Sequence, residues 1–373
     1  MPREHAIAVI PGDGIGAEVI GEGLKVLGAL AAIFGFRLRT TSYPWGADHY
    51  LKTGETMPDR ALDEYRQHAA VYLGAIGDPR IEVGLLERAI IAGLRFKLDL
   101  YVNLRPIKLY DARFCPLKDK GPADVDLVVV RENTEDAYTG IGGVFKQGTP
   151  DEVAIATMLY TRKGCERAVR YAFELAERRP RRKVTLIDKA NAVRPQDIWT
   201  RAFADVAKEH PGVQADHAYI DAACMWLVKN PETFDVCVMP NIFGDIFTDL
   251  GAMVQGGLGI AASGNLHPGR TSMFEPIHGS APKYRGKNVA NPLAAINAGG
   301  MMLDHLGEKE AAAALDRAIA ALLTSGRIRS LGAGDHATTE IGDLVVAEVR
   351  AQAGTPAPAA GAQPGRAKVR RRA

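Results

Sequence analysis

Cysteine is scarce in this chain: four residues in 373, Cys115, Cys165, Cys224 and Cys237, with no C-x-x-C pair among them. That excludes a disulfide framework and a thiolate zinc site, and leaves buried free thiols as the default. No stretch approaches the ~20 consecutive apolar residues of a membrane span. The N-terminus Met-Pro-Arg-Glu-His has neither the basic start nor the apolar run of a signal peptide. A cytoplasmic protein with no membrane partner is expected. Excess charge is missing too. The whole sequence carries +2, yet the five cations Arg366, Lys368, Arg370, Arg371 and Arg372, with no acid after Glu348, leave −3 on residues 1–365. A body of that charge offers no footprint for nucleic acid, and none is expected as a partner.

What is present reads as a globular α/β chain. At 47% hydrophobic and 24% charged, 373 residues suffice for one large domain or two lobes around a cleft. The apolar run 6–10 ends at Pro11-Gly12-Asp13-Gly14-Ile15-Gly16 and leads into a helical pattern from Ala17 to Ile33. Further Val-, Ile- and Leu-rich runs at 70–76, 126–130, 184–187 and 234–239 alternate with helical patterns at 163–177 and 198–208, and late helices are expected at 310–323 and 340–350. Strands alternating with helices predict an α/β fold with a mainly parallel sheet. From Ala351 onward, Ala, Gly, Pro and Gln give way to basic residues, too poor in large apolar groups to order themselves. A solvated tail is the simpler reading of that segment, and contact with RNA or an acidic surface the other.

Asp245 and Asp249 sit four apart in Asn241-Ile242-Phe243-Gly244-Asp245-Ile246-Phe247-Thr248-Asp249-Leu250. That spacing puts both carboxylates on one helix face, with Ile246, Phe247 and Leu250 expected to point elsewhere. Paired hard oxygen ligands suit Mg²⁺ or Mn²⁺, although a solvated acidic face would look the same. Lys189, in Asp188-Lys189-Ala190-Asn191, follows the strand 184–187, where open α/β sheets build their sites, and is either a counter-ion or a base. Arg95, Arg105 and Arg131 each stand near the end of an element. Singly they are salt-bridge candidates, and as a set they suit a substrate with more than one carboxylate. Tyr138 is a buried hydroxyl or a proton donor. The N-terminal glycine turn is spaced G-x-G-x-G, which argues against a Rossmann phosphate loop and for a turn that lets other groups approach closely.

With these segments in view, the chain resembles the β-decarboxylating dehydrogenase family, whose members act on 3-isopropylmalate, isocitrate, homoisocitrate, tartrate or D-malate. Besides the runs around Pro11, Lys189 and Asp245, the resemblance rests on Asn103-Leu104-Arg105-Pro106, Arg131-Glu132-Asn133-Thr134-Glu135-Asp136 and Phe274-Glu275-Pro276-Ile277-His278-Gly279-Ser280-Ala281-Pro282, and it spans residues 6 to about 350. It implies a two-lobed fold with a non-Rossmann nucleotide site: a nucleotide-binding lobe of residues 1–100 plus 257–351, a substrate, metal and dimerisation lobe of 101–256, and a basic tail of 352–373. It further implies a homodimer, alone or paired into a tetramer, with shared sites. Asp245 and Asp249 would hold the cation with Asp221 of a second copy, and Lys189 would likewise reach into the other copy's site. Arg95, Arg105 and Arg131 would bind substrate, and Lys189 and Tyr138 would move protons. Glu275, His278, Gly279, Ser280, Ala281, Lys283, Tyr284, Asn291 and Asn191 would line the nucleotide, NAD or NADP.

Two departures bear on detail. Lys283-Tyr284 stands where NAD-using relatives commonly place an acid, and resembles the pair that NADP-using isocitrate enzymes set around a 2′-phosphate, whereas the ending Ala337-Thr338-Thr339-Glu340 is of the NAD type. The helix before Arg95 carries Ala89, Ile90, Ile91 and Ala92, an apolar wall that fits an isopropyl group better than a third carboxylate. Arg88, and a loop after Arg131 closer to the isocitrate style, point the other way. The order of expectation is isopropylmalate, then isocitrate or homoisocitrate, then tartrate or malate. A catalytically silent regulatory subunit on the same fold is the non-enzyme alternative; such a subunit would have lost an aspartate or the lysine, and this sequence keeps all of them.

Overall fold

The structure, a computed structural model, describes residues 3–354. Strands β1 (Arg3–Gly12), β2 (Phe36–Ser42) and β3 (Ala70–Ala75) lie parallel, with β1 in the middle. β4 (Val102–Lys108) and β5 (Asp126–Glu132) pair antiparallel, and β6 (Gly142–Phe145) and β7 (Val153–Ala156) form a separate exposed hairpin. β8 (Lys183–Asp188), β9 (Gln214–Tyr219) and β10 (Val236–Met239) extend from β5 in parallel. β11 (Ala262–Leu266) and β12 (Ser272–Pro276) return the chain to the first half. Among the described residues ten strands make one sheet, ordered β2-β1-β3-β12-β11-β4-β5-β10-β8-β9. The α/β class and the mainly parallel sheet are as expected. The antiparallel pairs fall together at the centre, β12 with β11, β11 with β4, and β4 with β5.

Local chemistry sets the element ends. The first helix, Gly16–Phe34, stops where Gly35 turns left-handed at φ 71°. Thr161 caps the helix Arg162–Glu177 by accepting a hydrogen bond from Gly164 N at 2.9 Å. The last helix runs to Gly354, past the boundary expected at 352: Ala351, Gln352 and Ala353 are good helix formers, and Gln352 Nε2 donates to Glu348 Oε1 at 3.0 Å. The remainder of the expected tail lies outside the described residues. β5 likewise continues through Arg131 and Glu132, so Arg131 belongs to the strand and does not follow it.

The two faces of the sheet differ. On one, a single apolar core runs across both halves, from Val19, Leu27 and Leu315 to Phe173 and Trp199. On the other, two cores stay apart: Ile10, Tyr65, Leu94 and Leu98 under the first half, and Ile107, Val129, Phe234 and Phe247 under the second. Strand alternation places Asn103, Arg105, Arg131, Asn265 and Glu275 on this second face, and all five are buried. Polar side chains thus fill the gap between two apolar cores. Buried charge of this kind must be paired or meet a ligand.

Candidate active site

The helix Asn241–Val254 follows β10 directly and carries both acids of the pair. Gly244, one residue earlier, lets it press on β5: a Cβ there would lie 2.6 Å from Arg131 Cβ. Of the flanking apolar residues, Phe247 enters the core, while Ile246 faces outward and is 60% exposed. The helix is packed on one side only.

Arg131, Arg105 and Tyr138 converge on Asp245. Arg131 Nη1 forms a very short contact with Asp245 Oδ1, Arg105 Nη2 lies 3.4 Å from the same oxygen, and Tyr138 donates its hydroxyl to Oδ2 at 2.7 Å. The arginines are themselves fixed: Arg131 Nε donates to Asn241 Oδ1 at 2.8 Å, and Arg105 Nη1 to Thr248 Oγ1 at 2.6 Å. Burial opposes ionisation of Asp245, but Arg131 and Arg105 outweigh it and hold its carboxyl below the usual range. Asp249 has only Arg105 at 3.8 Å; burial, helped by Asp245, pushes its carboxyl up. A cation between the two acids would relieve that, so the donor set fits a hard divalent ion. Burial and then the Asp245 bond push the Tyr138 phenol up to about 12, which keeps its proton in place.

Arg95 closes the ring from the other half. Its Nη2 donates to Glu275 Oε1 at 2.9 Å, while its Nε is buried with no hydrogen-bond partner among the described residues. An orphaned guanidinium donor in a cleft of three arginines fits an anionic ligand. Ile90, expected in the apolar wall before Arg95, packs instead in the core with Leu86 and Leu94, leaving Ala89, Ile91 and Ala92 partly exposed.

Lys189 and Asp221 form a separate ion pair. Lys189, just past β8, donates to Asp221 Oδ1 at 2.7 Å, and that bond lowers the Asp221 carboxyl. Asp221 lies in the first turn of the helix Ile220–Lys229 and is 65% exposed. Lys189 is thus bonded to Asp221 and to neither Asp245 nor Asp249. Among the described residues no three acids, histidines or cysteines converge within one chain.

The expected nucleotide residues fall into three places: Glu275 is bonded to Arg95, most of the others follow β12, and Asn191 stands apart. Gly14, at φ +56°, lies under the loop after β12: Ile15 N donates to Ser280 O at 2.8 Å, and a Cβ on Gly14 would sit 2.7 Å from the Ser280 carbonyl carbon. This is the close approach that the glycine turn suggested. In that loop His278 Nε2 is buried without a partner, and burial lowers the imidazole's affinity for protons. Ala281 adopts φ 39°, a left-handed conformation unusual for alanine. An orphaned ring nitrogen and a strained turn fit a bound group. Exposed Gly279 lies between them, Lys283 Nζ stands 4.7 Å over the Tyr284 ring, and Asn291 Oδ1 accepts from Leu293 N at 3.0 Å. Asn191 is elsewhere, exposed on the turn after Lys189, and no hydrogen bond among the described residues joins it to the loop.

Sequence reasoning missed Thr248, Asn241, Asn133, Asn103 and Asn265. The first four lie inside motifs that had already been singled out, so a search for partners of the buried arginines would have found them. Asn265, in Ala-Ser-Gly-Asn-Leu, carried no local signal.

Buried arginines gathered with paired acids and a protonated tyrosine form a donor set that fits an acidic substrate. Residues 6–345 match the isocitrate/isopropylmalate dehydrogenase family. The chain is 48% identical over 353 residues to the 3-isopropylmalate dehydrogenase of Thermobifida fusca, covering 94% of this chain and 99% of that one. Against the 3-isopropylmalate dehydrogenase of Corynebacterium glutamicum the identity is 49% over 344 residues, covering 91% and 98%. Among solved structures, isocitrate dehydrogenase from Methylococcus capsulatus superimposes with a TM-score of 0.84 at 37% identity, covering 93% of this chain and 99% of that chain. A β-decarboxylating dehydrogenase from Thermococcus kodakarensis gives 0.77 at 35%, covering 93% and 96%. The chain belongs to the isocitrate/isopropylmalate dehydrogenase family.

Proposed function

We propose that this enzyme oxidises and decarboxylates 3-isopropylmalate, a step of leucine biosynthesis, with Mg²⁺ or Mn²⁺ and with NAD or NADP as hydride acceptor. The observation that carries the chemistry is the convergence of Arg131, Arg105 and Tyr138 on Asp245 beside an underpaired Asp249. For the substrate, support comes from the names of the relatives at 48% and 49% identity, and from Ala89, Ile91 and Ala92, which offer nothing to hydrogen-bond a third carboxylate.

Asp245 and Asp249 would hold the cation, joined by Asp221 of a second copy. When bound, the cation supplies positive charge to stabilise a developing oxyanion, and the nucleotide supplies the hydride acceptor. Arg95, Arg105 and Arg131 grip the substrate carboxylates and so orient the hydroxyl-bearing carbon. Lys189 of the second copy takes the hydroxyl proton. Tyr138, still protonated, delivers a proton to carbon once CO₂ has left. The loop holding His278, Ser280 and Ala281 is assigned to the nucleotide, with the lobes dividing where β11 meets β4.

The homodimer has its own support. Met225, 70% exposed, shares the outer stripe of its helix with Asp221; Ile246 and Met253 share that of theirs with Asp249. Apolar stripes beside the acids suit packing against a second copy, which would bring Asp221 of one chain to Asp249 of the other. Among the described residues no helix is long and apolar enough to cross a membrane.

The test is NAD and NADP reduction with Mg²⁺ or Mn²⁺ against 3-isopropylmalate, isocitrate, homoisocitrate, tartrate and D-malate. Turnover led by 3-isopropylmalate is expected. A preference for isocitrate above about tenfold in kcat/KM would overturn the substrate assignment.

A further inference from the structure

Between the two apolar cores of the site face runs a continuous chain of buried hydrogen bonds. Arg95 Nη2 and Asn265 Nδ2 both donate to Glu275 Oε1, each at 2.9 Å. Asn265 Oδ1 accepts from Asn103 Nδ2 at 2.8 Å and from Asn133 Nδ2 at 3.0 Å. Asn103 Oδ1 in turn accepts from Arg105 Nε at 2.8 Å. Arg95 lies on the helix Gly93–Lys97, packed under the half of the sheet that ends in β11, and Arg105 lies on β4, where the other half begins. The register sets Asn265 directly opposite Asn103 across that β11–β4 junction.

Only a carboxamide in one orientation satisfies position 265. Its oxygen meets two N–H donors and its nitrogen meets a carboxylate; flipped, it would face NH₂ against NH₂ and oxygen against oxygen. Asn265 and Asn103 are 0% exposed and Asn133 is 1% exposed, so no solvent replaces a lost partner. Arg95 and Arg105 are therefore joined through Glu275, Asn265 and Asn103, with Asn265 the link across the β11–β4 junction.

Resting on the function proposed above, we infer that Asn265 is a positioning residue: its carboxamide sets the spacing at which Arg95 and Arg105 grip two carboxylates of one substrate. The unpartnered Nε of Arg95 is the donor that this arrangement leaves for the ligand.

The test compares Asn265→Ala and Asn265→Asp with the parent as full-length, assembled enzyme. Asn265→Asp keeps the acceptor for Asn103 and Asn133 and replaces the donor to Glu275 with a carboxylate that repels it, so it decides the matter if the alanine variant does not fold. The expected result is a KM for 3-isopropylmalate raised at least about tenfold, with the nucleotide KM within about twofold of the parent. A merely structural role predicts a lower Tm with both KM values unchanged, and that result overturns the proposal, as does a parallel rise in both. A crystal structure of Asn265→Asp gives a reading independent of turnover. Displacement of the Arg95 guanidinium relative to Arg105 by about 1 Å supports the bridge, and an unchanged separation overturns it. Should the parent turn over none of the five hydroxy acids, the proposed function falls, and the crystallographic comparison still judges the bridge.

Discussion

Replacing Gly244 with alanine separates stability from chemistry at this site. In the interior of an exposed helix the change would stabilise by about 1 kcal/mol, because alanine restricts the unfolded chain. Here the new methyl would stand 2.6 Å from Arg131 Cβ and 3.0 Å from Cδ, with Cγ nearer still. Those atoms sit at the root of a side chain that is 1% exposed, so they have nowhere to swing. Ordinary contact demands that the helix Asn241–Val254 and β5 part by about 1 Å, an overpacking cost of about 1–3 kcal/mol. The net loss of stability is then only about 0–2 kcal/mol. The same displacement pulls Asp245 from Arg131 and loosens the Arg131–Asn241 bond of 2.8 Å, and a misplacement of this size costs about a hundredfold in rate. Calorimetry should therefore give a Tm within a few degrees of the parent, while kcat/KM falls about a hundredfold and Mn²⁺ binding weakens. A variant with kcat/KM within about threefold of the parent would refute the reasoning, since it would mean the pair Arg131–Asp245 tolerates displacement.

Other outcomes follow from the same geometry. Lys189→Ala and Asp245→Asn should each be inactive alone, yet co-expressed at equal levels they should recover about a quarter of parental activity, because half the dimers are mixed and each mixed dimer has one intact site; no recovery means the sites are not shared. Lys283→Ala should raise the KM for NADP at least about fivefold with little effect on NAD if that ammonium faces a 2′-phosphate, and equal effects on both would remove it from the nucleotide site. Burial raises the Glu132 carboxyl to about 7, against three hydrogen bonds from Thr134 and Glu135 that favour its charged form. A raised acid favours the folded state while protonated, so its contribution is full below about pH 4.5 and is lost as pH rises through about 7, a change of about 3 kcal/mol. In urea unfolding, the stability of the parent minus that of Glu132→Gln should fall by about that amount between pH 4.5 and 8; a flat difference would show that Glu132 is charged throughout.

The elements legible in the sequence are those whose period is set by burial on one or two faces. The first helix, expected from Ala17 to Ile33, runs Gly16–Phe34, and the strand expected over 184–187 runs Lys183–Asp188. β4, β11 and β12 were not legible because their site-facing positions are polar: Asn103 and Arg105, Ser263 and Asn265, and Glu275 interrupt the apolar runs that announce a buried strand. The hydrogen-bonded chain across the β11–β4 junction that makes these strands useful is therefore also what hid them. The acids and arginines of the site were readable as types and spacings, but their roles were not, because Arg131 and Arg105 acquire a fixed geometry from Asn241, Thr248 and Asn103, whose pairing with them only the folded chain shows. Asp221 illustrates the remaining limit. It is an ordinary helix-start acid by sequence, and within one chain its side-chain partner is Lys189, on a helix whose exposed stripe includes Met225. Whether such a residue is a surface acid or a metal ligand depends on what covers that stripe. The stripe is apolar and the acid is exposed beside its lysine, and the co-expression experiment tests for the second copy that would cover them.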